Sequence, residues 1–151
     1  ALAATMDSCG YRTYVLMGDG EQGEGSIYEA AMAANQYHLD NLVAIIDRNH
    51  LQISGDTEAV MAIENIRNKW SAFGWDVIEM NGDDVEDIVN TFHSIDYTNH
   101  KPHLLISHST KGLGVSFMEG VAEWHHGVPS EEQYHQAIID IEARISKLEE
   151  E

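Results

Sequence analysis

Apolar residues along this chain fall in short solid runs, separated by longer stretches where they recur every three or four positions. That is the pattern of buried parallel strands alternating with helices. "TYVLMG" (13–18) is a first run and ends in glycine. "IYEAAMAANQYHL" then carries Ile27, Ala30, Ala31, Ala34 and Tyr37 at helical spacing, and Ser26-x-x-Glu29 before it has the form of a capping box. A second strand is predicted at Leu42 to Ile46, with polar residues at its carboxyl end. After the polar loop "HLQISGDTE", with Asp56 or Thr57 as a cap, "IENIRNKWSAFG" reads as a helix ended by Gly74. "WDVIEMNG" is a third strand, and "DDVEDIVNTFHSI" an amphipathic helix through Val85, Ile88, Val89 and Phe92. "PHLLISHST" is a fourth strand. A final helix from about Ser130 places Tyr134, Ala137, Ile138, Ile141, Ile145 and Leu148 on one face.

This alternation predicts an α/β fold: a mostly parallel sheet with helices on both faces, as a single domain over residues 1–151. The opening "ALAATMDSCGYRTY" reads as the tail of a helix already under way, so an upstream segment is expected to be missing.

The composition narrows the partners. Against 26 Asp and Glu stand 8 Lys and Arg, a formal charge of −18. That balance argues against non-specific binding to nucleic acid or to an anionic membrane, which needs clustered cations. No apolar run reaches the roughly 18–20 residues of a membrane span. Cys9 is the single cysteine, so an internal disulfide is excluded and a reducing, cytoplasmic setting is expected.

In parallel sheets ligands gather beyond the carboxyl ends of the strands. Asp19 follows the first strand, Asp47 and Asn49 end the second, and Lys111 follows the fourth. The glycine loop "GDGEQGEG" (18–25) poses the chemical problem, because Gly18, Gly20 and Gly23 match the turn that cradles a dinucleotide pyrophosphate. Yet Asp19, Glu21 and Glu24 would repel bare diphosphate by ~1 kcal/mol or more even in a high dielectric. A divalent cation resolves the conflict, since Mg²⁺ takes carboxylate, carbonyl and phosphate oxygens together. Asp19 and Asn49 stand thirty positions apart, one loop, one helix and one strand, so two strand ends could bring them together. Gly20 lets the backbone approach the diphosphate.

At these residues the chain resembles a known family. "GDGEQGEGSIYEAAMAA" and "LDNLVAIIDRNHLQISGDT" are similar to the thiamine-diphosphate motif of transketolases, and "KWSAFGWDVIEMNGDD", "STKGLGVSFME" and "EWHHGVP" extend the resemblance to N-terminal halves of that family, especially those encoded as separate subunits. The resemblance implies the thiamine-diphosphate-binding fold and transfer of a two-carbon ketol unit from a ketose phosphate to an aldose phosphate. Thiamine diphosphate and Mg²⁺, or Ca²⁺ or Mn²⁺ in its place, would be the cofactors.

By the same resemblance Asp19 and Asn49 bind the metal through side chains and Leu51 through its carbonyl, while Gly18, Gly20, Glu21 and Lys111 belong to the cofactor site. Glu24 and Glu29 resemble glutamates near the subunit interface that link two active sites. His125 or His126 resembles a histidine that contacts diphosphate and donor sugar; the doubled "HH" leaves open which. His50 stands where the family usually has glycine. His38, His93, His100 and His103 are expected on the surface or in loops. The resemblance further implies that the partner is a C-terminal transketolase half or subunit, in a homodimer or heterotetramer, and that there is no turnover without it. Other readings stay open: a deoxyxylulose-phosphate synthase-like or dehydrogenase-type thiamine enzyme, or an inactive cofactor-binding remnant.

Overall fold

The computed structural model of the protein describes residues 1–150, the side chain of Glu150 excepted. Helix α1 (Leu2–Met6) leads into strand β1 (Thr13–Gly18). A 3-10 turn (Gly20–Gly23) and helix α2 (Gly25–Gln36) follow, then β2 (Leu42–Arg48). A small hairpin, β3 (Leu51–Gln52) and β4 (Gly55–Asp56), runs into α3 (Thr57–Val60) and α4 (Ile66–Ala72). β5 (Asp76–Asn81), α5 (Val85–Ser94) and β6 (His103–His108) complete the sheet, and α6 (Glu131–Glu150) closes the chain.

The main sheet has the order β1-β2-β6-β5 and is parallel throughout. Gly18 pairs with Asp47, Asp47 with Ser107, and Ser107 with Met80, so four carboxyl ends share one edge. α2 and α4 bury one face: Ala31, Ala34, Ile66 and Trp70 pack on Met17, Ala44, Ile46, Leu104 and Ile106. Trp70 and Trp75 meet edge to face at 4.7 Å, and the Trp75 indole donates to the Ala31 carbonyl at 3.0 Å. On the other face Ile88 and Phe92 of α5 cover Val43, Met80 and Leu105. The predicted α/β architecture, with helices on both faces, is the observed one.

Local details differ from the sequence reading. Ser26 forms no capping box. The 3-10 turn feeds directly into α2, so Glu24, extended at φ −86°, is the N-cap and Ser26 lies inside the first turn. Asp56 rather than Thr57 caps α3, accepting from the Ala59 amide at 3.0 Å. α4 starts at Ile66, capped by Asn65. His103 is not in a loop: it lies in β6, fully buried, with neither ring nitrogen hydrogen-bonded among the described residues. Gly74 does end its helix, at φ +90°, where a Cβ would also strike the Asn35 side chain.

α6 is capped by Ser130, whose hydroxyl accepts from the Gln133 amide while Gln133 accepts from the Ser130 amide. Asp140 anchors it by accepting from the Ser116 amide and hydroxyl at 2.8 and 2.6 Å. Its apolar stripe stays exposed, as do Tyr14 and Leu16 on the edge strand β1. No described helix is long and apolar enough to cross a membrane.

Candidate functional site

Beyond the carboxyl edge lies a cleft of ≈ 550 Å³. Gly18, Asp19, Gly20, Glu21 and Glu24 line it from the glycine loop, Asp47 and Asn49 from the end of β2 and the residue after it, Leu51 from β3, Lys111 from beyond β6, and His125 from the 3-10 turn Ala122–His125. Glu29, on the exposed side of α2, and His126 do not line it. The doubled histidine is thus distinguished by position: His125 is at the cleft and His126 one step away.

Asp19 is the buried member of this group, 1% exposed. Its Oδ1 accepts from the Gly20 amide at 2.8 Å; its Oδ2 accepts from Arg48 Nη1 at 3.1 Å and from the His50 amide at 2.7 Å. A carboxylate offers about four lone-pair positions, so Oδ1 keeps acceptor capacity. Asn49 is set in orientation: its Nδ2 donates to Asp47 at 3.0 Å and its Oδ1 accepts from the Leu51 amide at 2.9 Å. Asp47 also accepts from the Ser109 hydroxyl, which ties β2 to the segment leading to Lys111.

His50 occupies the left-handed region at φ +64°. Most residues avoid that conformation and glycine does not, which is the physical content of a glycine preference there. The unusual turn aims the His50 amide at Asp19 and its carbonyl at the Thr57 amide, 2.9 Å away. At Gly20 a Cβ would come 2.8 Å from Cβ of Gln52, so only glycine lets the loop lie against the hairpin.

Sequence reasoning passed over Arg48. It is 1% exposed and donates to Asp19, Thr57 (2.7 Å), Glu58 (3.1 Å) and Glu64 (2.8 Å). Burial works to raise the Glu64 carboxyl, but hydrogen bonds from Arg48 and the Ile66 amide outweigh it and hold the group below its ordinary range. An arginine closing the strand run "LVAIIDR", two positions after its last apolar residue, was the available signal.

The groups this edge could offer a cation are oxygens, above all the buried Asp19 carboxylate and the Asn49 side-chain oxygen. No three His, Cys, Asp or Glu side chains among the described residues are grouped as a metal cage. A cation here would need further oxygens from a ligand such as a diphosphate, which is the habit of Mg²⁺. With Asp19, Glu21, Glu24 and Asp47 facing Lys111, the cleft disfavours a bare polyanion and accommodates a metal-neutralised one.

The family described as "Transketolase, thiamine diphosphate binding domain" matches residues 3–140. An apulose-4-phosphate transketolase subunit of Phocaeicola vulgatus is 72% identical over the whole chain, which covers 54% of that protein. A 6-deoxy-6-sulfo-D-fructose transketolase subunit of a Clostridium species is 37% identical over 94% of this chain and 52% of its own length. The chain therefore spans about half the length of these relatives. Among solved structures, transketolase from Campylobacter jejuni superposes with a TM-score of 0.82 at 32% identity, covering 93% of this chain and 22% of that one. Transketolase from Pichia stipitis, in complex with sedoheptulose-7-phosphate, gives 0.80 at 27% identity, covering 90% and 22%. The chain belongs to the transketolase family, as its thiamine diphosphate binding domain.

Proposed function

We propose that this chain is the cofactor-binding part of a transketolase divided between two subunits, and that it holds thiamine diphosphate through Mg²⁺. In this reading Asp19, Asn49 and the Leu51 carbonyl hold the metal. Lys111 and His125 meet the diphosphate, and Gly20, without a side chain, lets the loop approach it, with Gly18 and Glu21 shaping the loop beneath it. Thiamine diphosphate, when bound, supplies the carbon nucleophile and electron sink that ketol transfer needs. The chain's own contribution is to anchor the diphosphate, exclude water from the cleft floor and orient the cofactor. The observation that carries the reading is the pairing of a buried carboxylate with an amide oxygen at adjacent strand ends, in a cleft too acidic for diphosphate alone.

The partner in this proposal is the C-terminal half of a transketolase on a separate chain, since relatives 72%, 45% and 37% identical to this chain are themselves named as subunits. The substrates are sugar phosphates, and apulose-4-phosphate, named in the relative at 72% identity, is the first donor to assay. Glu24, at the cleft, and Glu29, outside it, are proposed to act at the contact between active sites.

Native mass spectrometry with Mg²⁺ and thiamine diphosphate, and NADH as competitor, tests the binding half of this proposal. One metal and one cofactor per chain, both lost in Asp19→Ala, is the expected result; retention of NADH instead would overturn it. For the catalytic half, the protein is combined with its C-terminal partner and given apulose-4-phosphate or xylulose-5-phosphate as donor. Cofactor binding without turnover of either would favour the inactive remnant.

A further inference from the structure

We infer that Arg48 is a positioning residue for the metal site, acting through a closed ring of hydrogen bonds that holds all three proposed ligands in place. The inference rests on the proposed metal–diphosphate reading and goes beyond it, because Arg48 itself faces the interior rather than the cleft.

The ring runs from Asp19 Oδ2 to Arg48 Nη1 (3.1 Å), from the same nitrogen to Thr57 Oγ1 (2.7 Å), from that hydroxyl to the His50 carbonyl (3.4 Å), and from the His50 amide back to Asp19 Oδ2 (2.7 Å). Thr57 and Arg48 are both fully enclosed. Oδ2 is saturated by two donors, so Oδ1 is the oxygen left to face a cation. His50 is gripped on both its amide and carbonyl sides, and it lies between Asn49 and Leu51, so the backbone that presents the other two ligands is fixed by the same ring.

The remaining donors of Arg48 settle its charge. Nη2 meets Glu58 and Glu64, and Nε meets Glu64 again at 3.2 Å. One guanidinium thus faces three carboxylates, and Asp19 keeps a net attraction for a cation despite the Arg beside it. Lysine cannot copy this arrangement, since it lacks the rigid planar fork that reaches both sides at once.

The test measures metal binding directly. Mn²⁺ replaces Mg²⁺ in the presence of thiamine diphosphate, with the complete protein and its C-terminal partner, and free Mn²⁺ is read by electron paramagnetic resonance. Arg48→Lys and Thr57→Val are each expected to weaken Mn²⁺ binding by about tenfold or more, and Thr57→Ser, which keeps the hydroxyl, to restore it. The double variant should lose little beyond the worse single one, because both break the same ring. Thermal melts without cofactor identify folded variants; Thr57→Val carries the test if Arg48→Lys does not fold. Folded variants that bind Mn²⁺ within twofold of the wild type would overturn the inference. A wild-type protein that binds no Mn²⁺ with thiamine diphosphate would overturn the site reading itself, a separate and distinguishable result.

Discussion

The amide of His50 donates to Oδ2 of Asp19 at 2.7 Å, joining two loops thirty-one positions apart in the chain. That bond exists because His50 adopts a left-handed backbone, φ +64°. The conformation has a cost for any residue with a Cβ, and the sign of the cost gives the first prediction. His50→Gly is expected to match or exceed the wild type in urea unfolding, by up to about 1 kcal/mol. His50→Val, β-branched and poorly suited to this region, is expected to lose about 1–2 kcal/mol. The reverse order would show that the His50 ring makes a compensating contact.

The glycine loop separates close approach from turn formation. Gly20→Ala places a Cβ 2.8 Å from Gln52 Cβ, whereas at Gly23 the nearest atom is 4.0 Å away. Gly20→Ala should therefore shift the hairpin β3–β4 across the cleft and weaken thiamine diphosphate binding by about tenfold or more. Gly23→Ala should bind nearly as the wild type. Isothermal titration at saturating Mg²⁺ reads both.

The two adjacent histidines differ by position. His125 lines the cleft and His126 does not. His125→Ala and Lys111→Ala are each expected to weaken cofactor binding by roughly tenfold, the loss of one hydrogen bond to a charged group. His126→Ala is expected to leave it unchanged. Equal effects from both histidine variants, read by the same titration, would remove the distinction.

His103 predicts a pH dependence of stability at the opposite end of the sheet. Burial pushes its imidazole below the usual range, and Asp76, Asp40 and Asp96 only partly oppose this. Tyr97 packs edge-on at 5.3 Å, and Asp76 Oδ2 lies 3.5 Å from Nδ1 without hydrogen bonding it. The unfolded chain takes up a proton near about pH 6.5 while the folded one resists it. Stability contributed by neutral His103 is full above about pH 6.5 and declines as pH falls from there toward the lower folded value. Urea unfolding of the wild type should therefore weaken more steeply between about pH 7 and pH 5 than that of His103→Phe. Parallel curves would show that His103 titrates normally.

The elements of this fold were legible where the signal was local. Strand runs such as "TYVLMG", the core of "PHLLISHST", the stop at Gly74 and helix α5 depend on neighbours within a few residues, and the structure forms them, though of the α5 stripe Ile88 and Phe92 pack on the sheet while Val85 and Val89 stay exposed. That Asp19 and Asn49 come to one cleft was legible for a similar reason: consecutive parallel strands deliver their carboxyl ends to one edge. The Ser26 capping box was a local signal that lost to its surroundings, because the preceding 3-10 turn sets where α2 begins.

What the chain determined by itself was the alternation of strands and helices and the acidic glycine loop, whose spelling resembles that of the transketolase family. Tertiary structure alone decided the rest. It buried Arg48 against three carboxylates drawn from separate segments, enclosed His103, brought His125 rather than His126 to the cleft, and left the apolar stripe of α6 uncovered. The physical reason is one of range. Periodicity and turn chemistry act over three or four residues, whereas the partner of a buried charge, or the cover of an apolar face, is set by how distant segments pack.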